Sequence, residues 1–226
     1  MLLSDKFAYF HVPKTAGRSI TSALALTLPA SEAATLHRGR SIRYPGHITP
    51  SSFCDKWDDD DGEAGNALMG RFTFTFVRNP WDRARSLYYW IAFSRPLERW
   101  RPFRGNWQSM GFNEWVLRDG FQEFITTLTR PRPSDDYAMP WPLHQHSYVN
   151  YCGGELDYVG RYENLHNDFS FVCTQLGLRA DLKHKNNNKK AVAVSYQEEY
   201  SDAARDKIAD IFVKDIELFG YTFDGL

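Results

Sequence analysis

One stretch near the amino terminus limits the fold of this 226-residue chain more than any other. The apolar residues 7–12 predict a strand, Pro13 and Gly17 mark a tight loop, and residues 19–28 predict a helix. A strand that passes through such a loop into a helix presents backbone N–H groups at the positive end of the helix dipole. Lys14 adds a charged amine to this loop. The stretch therefore predicts an anion site that suits a phosphate or a sulfate.

The geometry expected of this loop is that of a P-loop, but its amino-acid sequence is different. The pattern G-x-x-x-x-G-K-[ST] does not occur, so a nucleoside triphosphate is not the expected ligand. Three alternatives remain open at this point. They are a P-loop-type kinase that uses ATP and magnesium, a nucleotide-binding interaction protein without catalytic activity, and an ordinary strand–helix turn with a surface lysine.

A second strand–turn–helix unit follows further along the chain. Residues 71–77 alternate aromatic and polar side chains, which predicts a strand, and Pro80 marks the start of a helix. Arg78 stands at the carboxyl end of this strand, and Ser86 lies roughly two turns into the helix. Ligands of open α/β sheets bind at the carboxyl ends of the strands. If the two strands are parallel neighbours, Lys14 and Arg78 line one crevice and can hold two anionic groups.

Strand and helix patterns continue to alternate through the rest of the chain. A short strand is predicted at residues 156–162, and amphipathic helices are predicted at 163–178 and 201–219. This order predicts an α/β protein with a P-loop-like three-layer fold, in which a central, mostly parallel sheet is flanked by helices. The length suits one sizeable core, and no repeat is evident, so we predict a single domain over residues 1–226.

Charge and cysteine content exclude several classes of partner. The formal net charge of −1 argues against nucleic acid, although seven arginines within residues 78–104 form a basic stretch that suits a small or extended anionic ligand. The three cysteines, Cys54, Cys152 and Cys173, are widely separated and form no C-x-x-C pattern. We therefore predict neither a disulfide framework nor a thiolate zinc site.

Metal and membrane features are also lacking in the sequence. His144 and His146 would share one face of a strand, but no cysteine or carboxylate cluster accompanies them, so we predict no metal site. No apolar run reaches the ~18 residues of a membrane span, and no signal-peptide pattern precedes the first strand. We therefore expect no integral membrane segment and a cytoplasmic location. No pattern in the sequence specifies an oligomeric state.

Two sequence blocks resemble the sulfotransferase family. They are His11-Val-Pro-Lys-Thr-Ala-Gly17 and Phe76-Val-Arg-Asn-Pro80-Trp-Asp-Arg83-Ala-Arg-Ser86. The likeness is to the carbohydrate sulfotransferases that act on glycosaminoglycan-type sugars. The segments 160–165 and 214–221 also resemble later blocks of that family, so the likeness extends from residue 7 to residue 223. Because the membrane anchor and stem of animal relatives are missing, the resemblance suggests a bacterial-type member.

This resemblance implies an enzyme that moves a sulfuryl group from 3′-phosphoadenosine 5′-phosphosulfate (PAPS) to an acceptor hydroxyl, with a carbohydrate as the acceptor and the bisphosphate PAP as the product. The first loop would bind the 5′-phosphosulfate, with Lys14 on the bridging oxygen, and Arg78 and Ser86 would bind the 3′-phosphate. No metal is required, since lysine and arginine supply the counter-charge. The loop residues implied in donor binding are Pro13, Lys14, Thr15, Ala16, Gly17, Arg18 and Ser19. Arg18 stands where many relatives carry a small hydroxyl residue.

The resemblance also points to a catalytic base. The short segment Gly46-His47-Ile48 matches the position of the base histidine in two-O-type uronic acid sulfotransferases. An imidazole with an ordinary pKa near ~6.5 can accept the proton that an acceptor hydroxyl loses at neutral pH. We therefore expect Lys14 and His47 to be the catalytic residues. Other candidates for the base are His11, Asp82 and Glu114, and the basic, aromatic segment 95–108 suits an acidic sugar chain.

Overall fold

The structure is a computed structural model that describes residues 1–28, 47–58, 68–93, 120–126, 128, 144–151, 154–182 and 194–226. These residues belong to two compact units, and each unit is made from two separate stretches of the chain. The first unit comprises Met1–Arg78 and Trp141–Asn186, and the second comprises Asn79–Pro140 and Asn187–Leu226. The single domain over residues 1–226 stays a prediction.

A four-stranded sheet lies at the centre of the first unit. The strands of this unit are β1 (Leu2–Leu3), β2 (Phe7–Phe10), β3 (Phe72–Val77), β4 (Asn150–Tyr151), β5 (Gly154–Glu155) and β6 (Tyr158–Arg161). The central sheet has the order β1-β2-β3-β6, and β4 and β5 form a separate antiparallel pair. Strands β2, β3 and β6 are parallel, whereas β1 runs antiparallel at the edge. The predicted mostly parallel sheet is therefore confirmed.

Helices cover both faces of this sheet, as the α/β prediction requires. They are α1 (Gly17–Ala25), α2 (Pro50–Asp58) and α4 (Leu165–Leu176); the intervening helix α3 (Pro80–Phe93) belongs to the second unit. Alternation along β2 explains the two layers, because successive side chains of a strand point to opposite faces. Phe7 and Tyr9 pack with α1 and α4, whereas Ala8 and Phe10 pack with α2. All four side chains are fully buried, and burial of an aromatic side chain contributes about 1.5–3 kcal/mol.

Side-chain contacts between β3 and β6 fix the register of these two strands. Phe76 pairs with Gly160, and a Cβ atom on Gly160 would lie 2.5 Å from Cε1 of Phe76, so only glycine leaves room for this ring. At the other end of the pair, Oδ2 of Asp157 accepts hydrogen bonds from the backbone N–H (2.7 Å) and the hydroxyl (2.8 Å) of Thr73. These contacts hold β6 beside β3 in the register that pairs Val77 with Arg161.

The second unit is helical in its described part. It contains α3 (Pro80–Phe93), a helical segment at residues 120–126, α5 (Tyr196–Glu199), α6 (Asp202–Ile211) and α7 (Val213–Phe219). The single helix predicted at 201–219 is therefore wrong in one respect, because the backbone breaks at Phe212 (φ −110°, ψ 25°). None of the helices in the described part of the chain has both the length and the apolar character needed to cross a bilayer.

Two arginines of the predicted basic stretch lie inside this second unit. Arg83 and Arg85 are each only 5% exposed. The guanidinium of Arg85 forms an ion pair with Glu199 and donates a 2.8 Å hydrogen bond to the carbonyl of Val194, while the hydroxyl of Tyr89 donates to the same carboxylate at 2.9 Å. The basic stretch inferred from residues 78–104 is thus partly structural, because Arg85 holds α3 to the segment around α5.

Candidate active site

The loop that follows β2 has a backbone conformation that is unusual for its residue types. Lys14 (φ 71°) and Ala16 (φ 64°) both lie in the left-handed region, which costs roughly 1–2 kcal/mol for a residue that has a Cβ atom. Between them, the buried hydroxyl of Thr15 donates a 2.9 Å hydrogen bond to the carbonyl of Val12 and closes the loop. Backbone strain of this kind persists where the surrounding structure imposes it, often at ligand sites.

Helix α1 begins directly at the end of this loop. Its N-cap residue, Ala16, offers no side-chain cap, and the first-turn N–H groups of Gly17 and Arg18 have no acceptor within the helix. The N–H groups of Ser19 and Ile20 donate to the carbonyl of Ala16 at 2.8 and 3.1 Å. The amino end of α1 therefore directs partial positive charge at the loop, which favours an anion there.

Gly17 is required by close packing. A Cβ atom at this position would lie 1.8 Å from both Cδ2 and Nε2 of the His11 ring. That ring is stacked on the ring of Tyr9, with centroids 6.0 Å apart and planes 20° apart, and lies 4.5 Å from the ring of His47. The missing side chain at residue 17 thus lets the His11 imidazole occupy the space between β2 and α1.

The structure brings Lys14 and Arg78 together, as the parallel pairing of their strands predicts. Strands β2 and β3 are parallel, and Phe10 is paired with Thr75. The Lys14 loop and Arg78 therefore both follow the carboxyl ends of these neighbouring strands. Nη1 of Arg78 donates a 3.1 Å hydrogen bond to the carbonyl of Lys14. Burial, followed by the charges of Arg78 and Arg18, lowers the pKa of Lys14 to about 7. An anion bound here would reverse that shift, because an opposite charge favours the protonated amine.

A buried glutamine holds the backbone of Arg78, and sequence reasoning did not find it. Oε1 of Gln145 accepts from the N–H of Arg78 at 2.8 Å, and Nε2 donates to the carbonyl of Arg78 at 2.7 Å. The side chain of Gln145 is fully buried. The strand geometry considered for residues 144–146 is wrong, since His146 begins a 3-10 turn at His146–Tyr148. No local pattern distinguishes Gln145, because its partner lies 67 positions away.

His47 is held beside the first loop by one hydrogen bond of its side chain and one of its backbone carbonyl. Its Nδ1 atom lies 3.1 Å from the carbonyl oxygen of His11, and the hydroxyl of Tyr148 donates a 2.9 Å hydrogen bond to the carbonyl of His47. The next residues start α2, where the hydroxyl of Thr49 accepts from the N–H of Ser52 at 3.2 Å. The predicted base is therefore held within 4.5 Å of His11, ring centroid to ring centroid.

The hydrogen bond to His11 determines which nitrogen of His47 can act as a base. A carbonyl oxygen can only accept, so Nδ1 carries the proton and Nε2 keeps its lone pair in the neutral ring. Burial lowers the pKa of His47, and the nearby Lys14 charge lowers it further, against the opposing effect of the His11 carbonyl. Burial also lowers the pKa of His11 well below its usual value, and the charge of Lys14 lowers it further. His47 is therefore uncharged at neutral pH.

The other predicted site residues have mixed outcomes. Pro13 and Ser19 are buried in the first loop and helix, whereas Arg18 is exposed. Ser86 and Asp82 lie on α3 in the second unit and are partly exposed, and the role of Ser86 at a 3′-phosphate stays a prediction. Three further features lie outside the described residues, namely the segment 95–108, Cys152 and the alternative base Glu114.

A protein-family model matches this chain over most of its length. The model described as "Sulfotransferase family" matches residues 3–222, which is nearly the whole chain. Searches of curated proteins and of solved structures gave no match. The matched range includes the loop with Lys14, the carboxyl ends of β2 and β3, and His47. With its mostly parallel α/β sheet, this chain belongs to the sulfotransferase family, whose enzymes transfer sulfuryl groups.

Proposed function

We propose that this sulfotransferase moves the sulfuryl group of PAPS to a hydroxyl of a carbohydrate acceptor and releases PAP. The family membership supports sulfuryl transfer in general. The donor, the acceptor class and the roles of individual residues are our proposal. In it, Lys14 stabilises the leaving group, His47 is the general base, and Arg78 binds the 3′-phosphate.

The observation that carries this proposal is the junction of two cationic strand ends. Lys14, in the loop after β2, and Arg78, at the end of β3, lie side by side and are joined by a 3.1 Å hydrogen bond. The donor carries anionic groups on both its 5′ and 3′ oxygens, and so offers one partner to each cation. The N–H groups of Gly17 and Arg18 at the start of α1 supply further donors for the 5′-phosphosulfate.

The proposed reaction assigns one role to each of these residues. Nε2 of His47 takes the proton of the acceptor hydroxyl while that oxygen forms a bond to sulfur. The bond between sulfur and the bridging oxygen of the donor breaks in line, and the negative charge moves onto the 5′-phosphate. Lys14 stabilises that charge, since a preorganised cation acts most strongly where charge develops in the transition state. Because Lys14 and Arg78 supply the positive charge, the proposed step requires no metal ion.

The carbohydrate acceptor and the cytoplasmic location are the parts of the proposal that come from the sequence. The acceptor class rests on the likeness of the two motif blocks to carbohydrate sulfotransferases. For the location, the structure adds that Cys173 is a free, buried thiol, which a reducing compartment permits. A transfer assay with labelled PAPS and a panel of polysaccharides, simple phenols and tyrosine peptides tests the acceptor class. Transfer to sugars supports our proposal, whereas transfer to phenols or peptides alone would overturn the carbohydrate assignment.

Arg78→Ala should remove most of the thermal stabilisation that PAP gives to the wild-type protein. A ligand at a hundredfold excess over its dissociation constant stabilises a fold by about 2.7 kcal/mol. In the variant the 3′-phosphate loses its cation, so PAP binds more weakly and raises Tm less. Differential scanning fluorimetry of both proteins with PAP measures this difference.

Arg179→Ala is the matched control for that experiment, since Arg179 is an exposed arginine of the same unit. We expect PAP to raise its Tm as in the wild type. An equal PAP-induced shift in Arg78→Ala would defeat the assignment of Arg78. A larger shift with ATP and magnesium than with PAP would favour a kinase, and PAP binding without sulfuryl transfer to any acceptor would favour a non-catalytic binding protein.

A further inference from the structure

Tyr162 lies at the carboxyl end of the third parallel strand, next to Arg78. The register of β3 and β6 pairs Val77 with Arg161, so Arg78 and Tyr162 are the first residues beyond the paired ends. Tyr162 begins a 3-10 turn, Tyr162–Asn164, and its half-buried ring packs against the core cluster that contains Phe76. Cζ of Arg78 lies 3.8 Å from the centroid of that ring. This distance corresponds to a guanidinium stacked on an aromatic face.

Two kinds of contact are described for Arg78, one on its backbone and one on its guanidinium. Gln145 holds the backbone of Arg78 through two hydrogen bonds and so fixes where its side chain begins. The guanidinium itself contacts the carbonyl of Lys14 at 3.1 Å and the face of Tyr162. These last two contacts are made by the charged group itself and favour one direction for it.

The guanidinium of Arg78 lies close enough to the Lys14 amine for the two positive charges to interact. The charge of Arg78 contributes to the lowered pKa of Lys14, so the two cations repel each other. Without an anion, repulsion favours rotation of the guanidinium away from the amine. The negative face of an aromatic ring opposes this rotation without neutralising the charge that an anionic ligand requires.

We propose that Tyr162 is a positioning residue that holds the Arg78 guanidinium ready for a 3′-phosphate, and that it thereby sets the preference of this enzyme for 3′-phosphorylated nucleotides. This inference rests on the proposed function, from which it takes the nucleotide and the role of Arg78. A guanidinium that is already in place loses less conformational freedom on binding, which increases affinity for the group it meets. Nucleotides that lack the 3′-phosphate gain nothing from this arrangement.

Calorimetric titrations of PAP and of 5′-AMP test the proposal. The proteins to compare are the wild type, Tyr162→Leu, Tyr162→Met and Tyr162→Phe. We expect the wild type to bind PAP more tightly than 5′-AMP. Tyr162→Leu and Tyr162→Met, which lack an aromatic face, should lose about five- to tenfold in PAP affinity and stay within twofold of the wild type for 5′-AMP. Tyr162→Phe keeps the face and should keep the PAP affinity.

Tyr158→Leu serves as the control, because Tyr158 lies at the start of β6, the strand that ends just before Tyr162, and its ring is 4.7 Å from that of Phe171. This variant should leave the ratio of the two affinities unchanged. A ratio that also stays unchanged in Tyr162→Leu or Tyr162→Met would overturn the role of Tyr162 while leaving the proposed function intact. Equal weakening of PAP and 5′-AMP would overturn it as well. A wild type that does not distinguish the two nucleotides would instead contradict the role of Arg78 in the proposed function, and the inference with it.

Discussion

Lys14→Met should lower kcat for sulfuryl transfer about a hundredfold or more. The methionine keeps most of the length of the side chain and removes the charge that stabilises the leaving 5′-phosphate. Loss of one preorganised donor of this kind costs ~3 kcal/mol of transition-state stabilisation. Steady-state kinetics with saturating donor and acceptor measure the effect. Lys6→Met is the control, since Lys6 is exposed before β2, and it should retain wild-type kcat.

The pH dependence of PAP binding provides a second readout for Lys14. Burial and the neighbouring arginines lower the pKa of this amine to about 7 in the free protein. As pH rises above 7 the amine loses its charge, so the affinity for PAP should fall, by up to about tenfold for each pH unit. Lys14→Arg keeps its charge over this range and should abolish that dependence. Retention of wild-type kcat in Lys14→Met, or a flat pH profile of wild-type PAP binding, would contradict the role given to Lys14.

His47→Asn should lower kcat by ~10² or more while PAP affinity stays close to that of the wild type. The asparagine amide can still donate to the carbonyl of His11, as Nδ1 of His47 does at 3.1 Å, so the local structure is maintained. What is lost is the lone pair of Nε2 that accepts the proton of the acceptor hydroxyl. Initial rates, together with a calorimetric PAP titration, separate the loss of chemistry from a loss of binding. His166→Asn, an exposed histidine on α4, is the control.

His47 should also determine how kcat decreases at acidic pH. Burial and the charge of Lys14 place the pKa of His47 below the ordinary 6.5, so the ring is neutral and active at pH 7. The wild-type kcat should therefore fall only as pH decreases through that lowered pKa, where the ring gains a proton. His47→Asn should lack this limb. If the variant turns over within a few-fold of the wild type, the base is another group, and His11, held against Gly17, is then the nearest candidate.

Periodicity predicted those parts of this fold in which neighbouring residues decide the structure. The alternation in residues 71–77 corresponds to β3, and the strand–loop–helix pattern around Lys14 corresponds to β2 and α1. The observed ends of these elements differ slightly from the predicted ones. Parallel pairing of β2 with β3 then places Arg78 beside the Lys14 loop. These predictions succeeded because side-chain alternation and turn residues act over a few positions.

Contacts between distant residues account for what the sequence did not reveal. Gln145 binds Arg78 across 67 positions, and Arg85 binds Glu199 across 114, so neither pair produces a local pattern. Arg85 looks in the sequence like part of a basic surface, yet it is buried by its ion pair. Tyr162 belongs to a block that resembles the family, but its contact with Arg78 follows only from the register of β3 and β6.

A crystal structure of the wild-type protein with PAP tests the central claim most directly. We predict that the 5′-phosphate contacts Nζ of Lys14 and the N–H groups at the start of α1, and that the 3′-phosphate contacts the guanidinium of Arg78. A nucleotide bound elsewhere, or one that contacts only one of these two cations, would contradict the account.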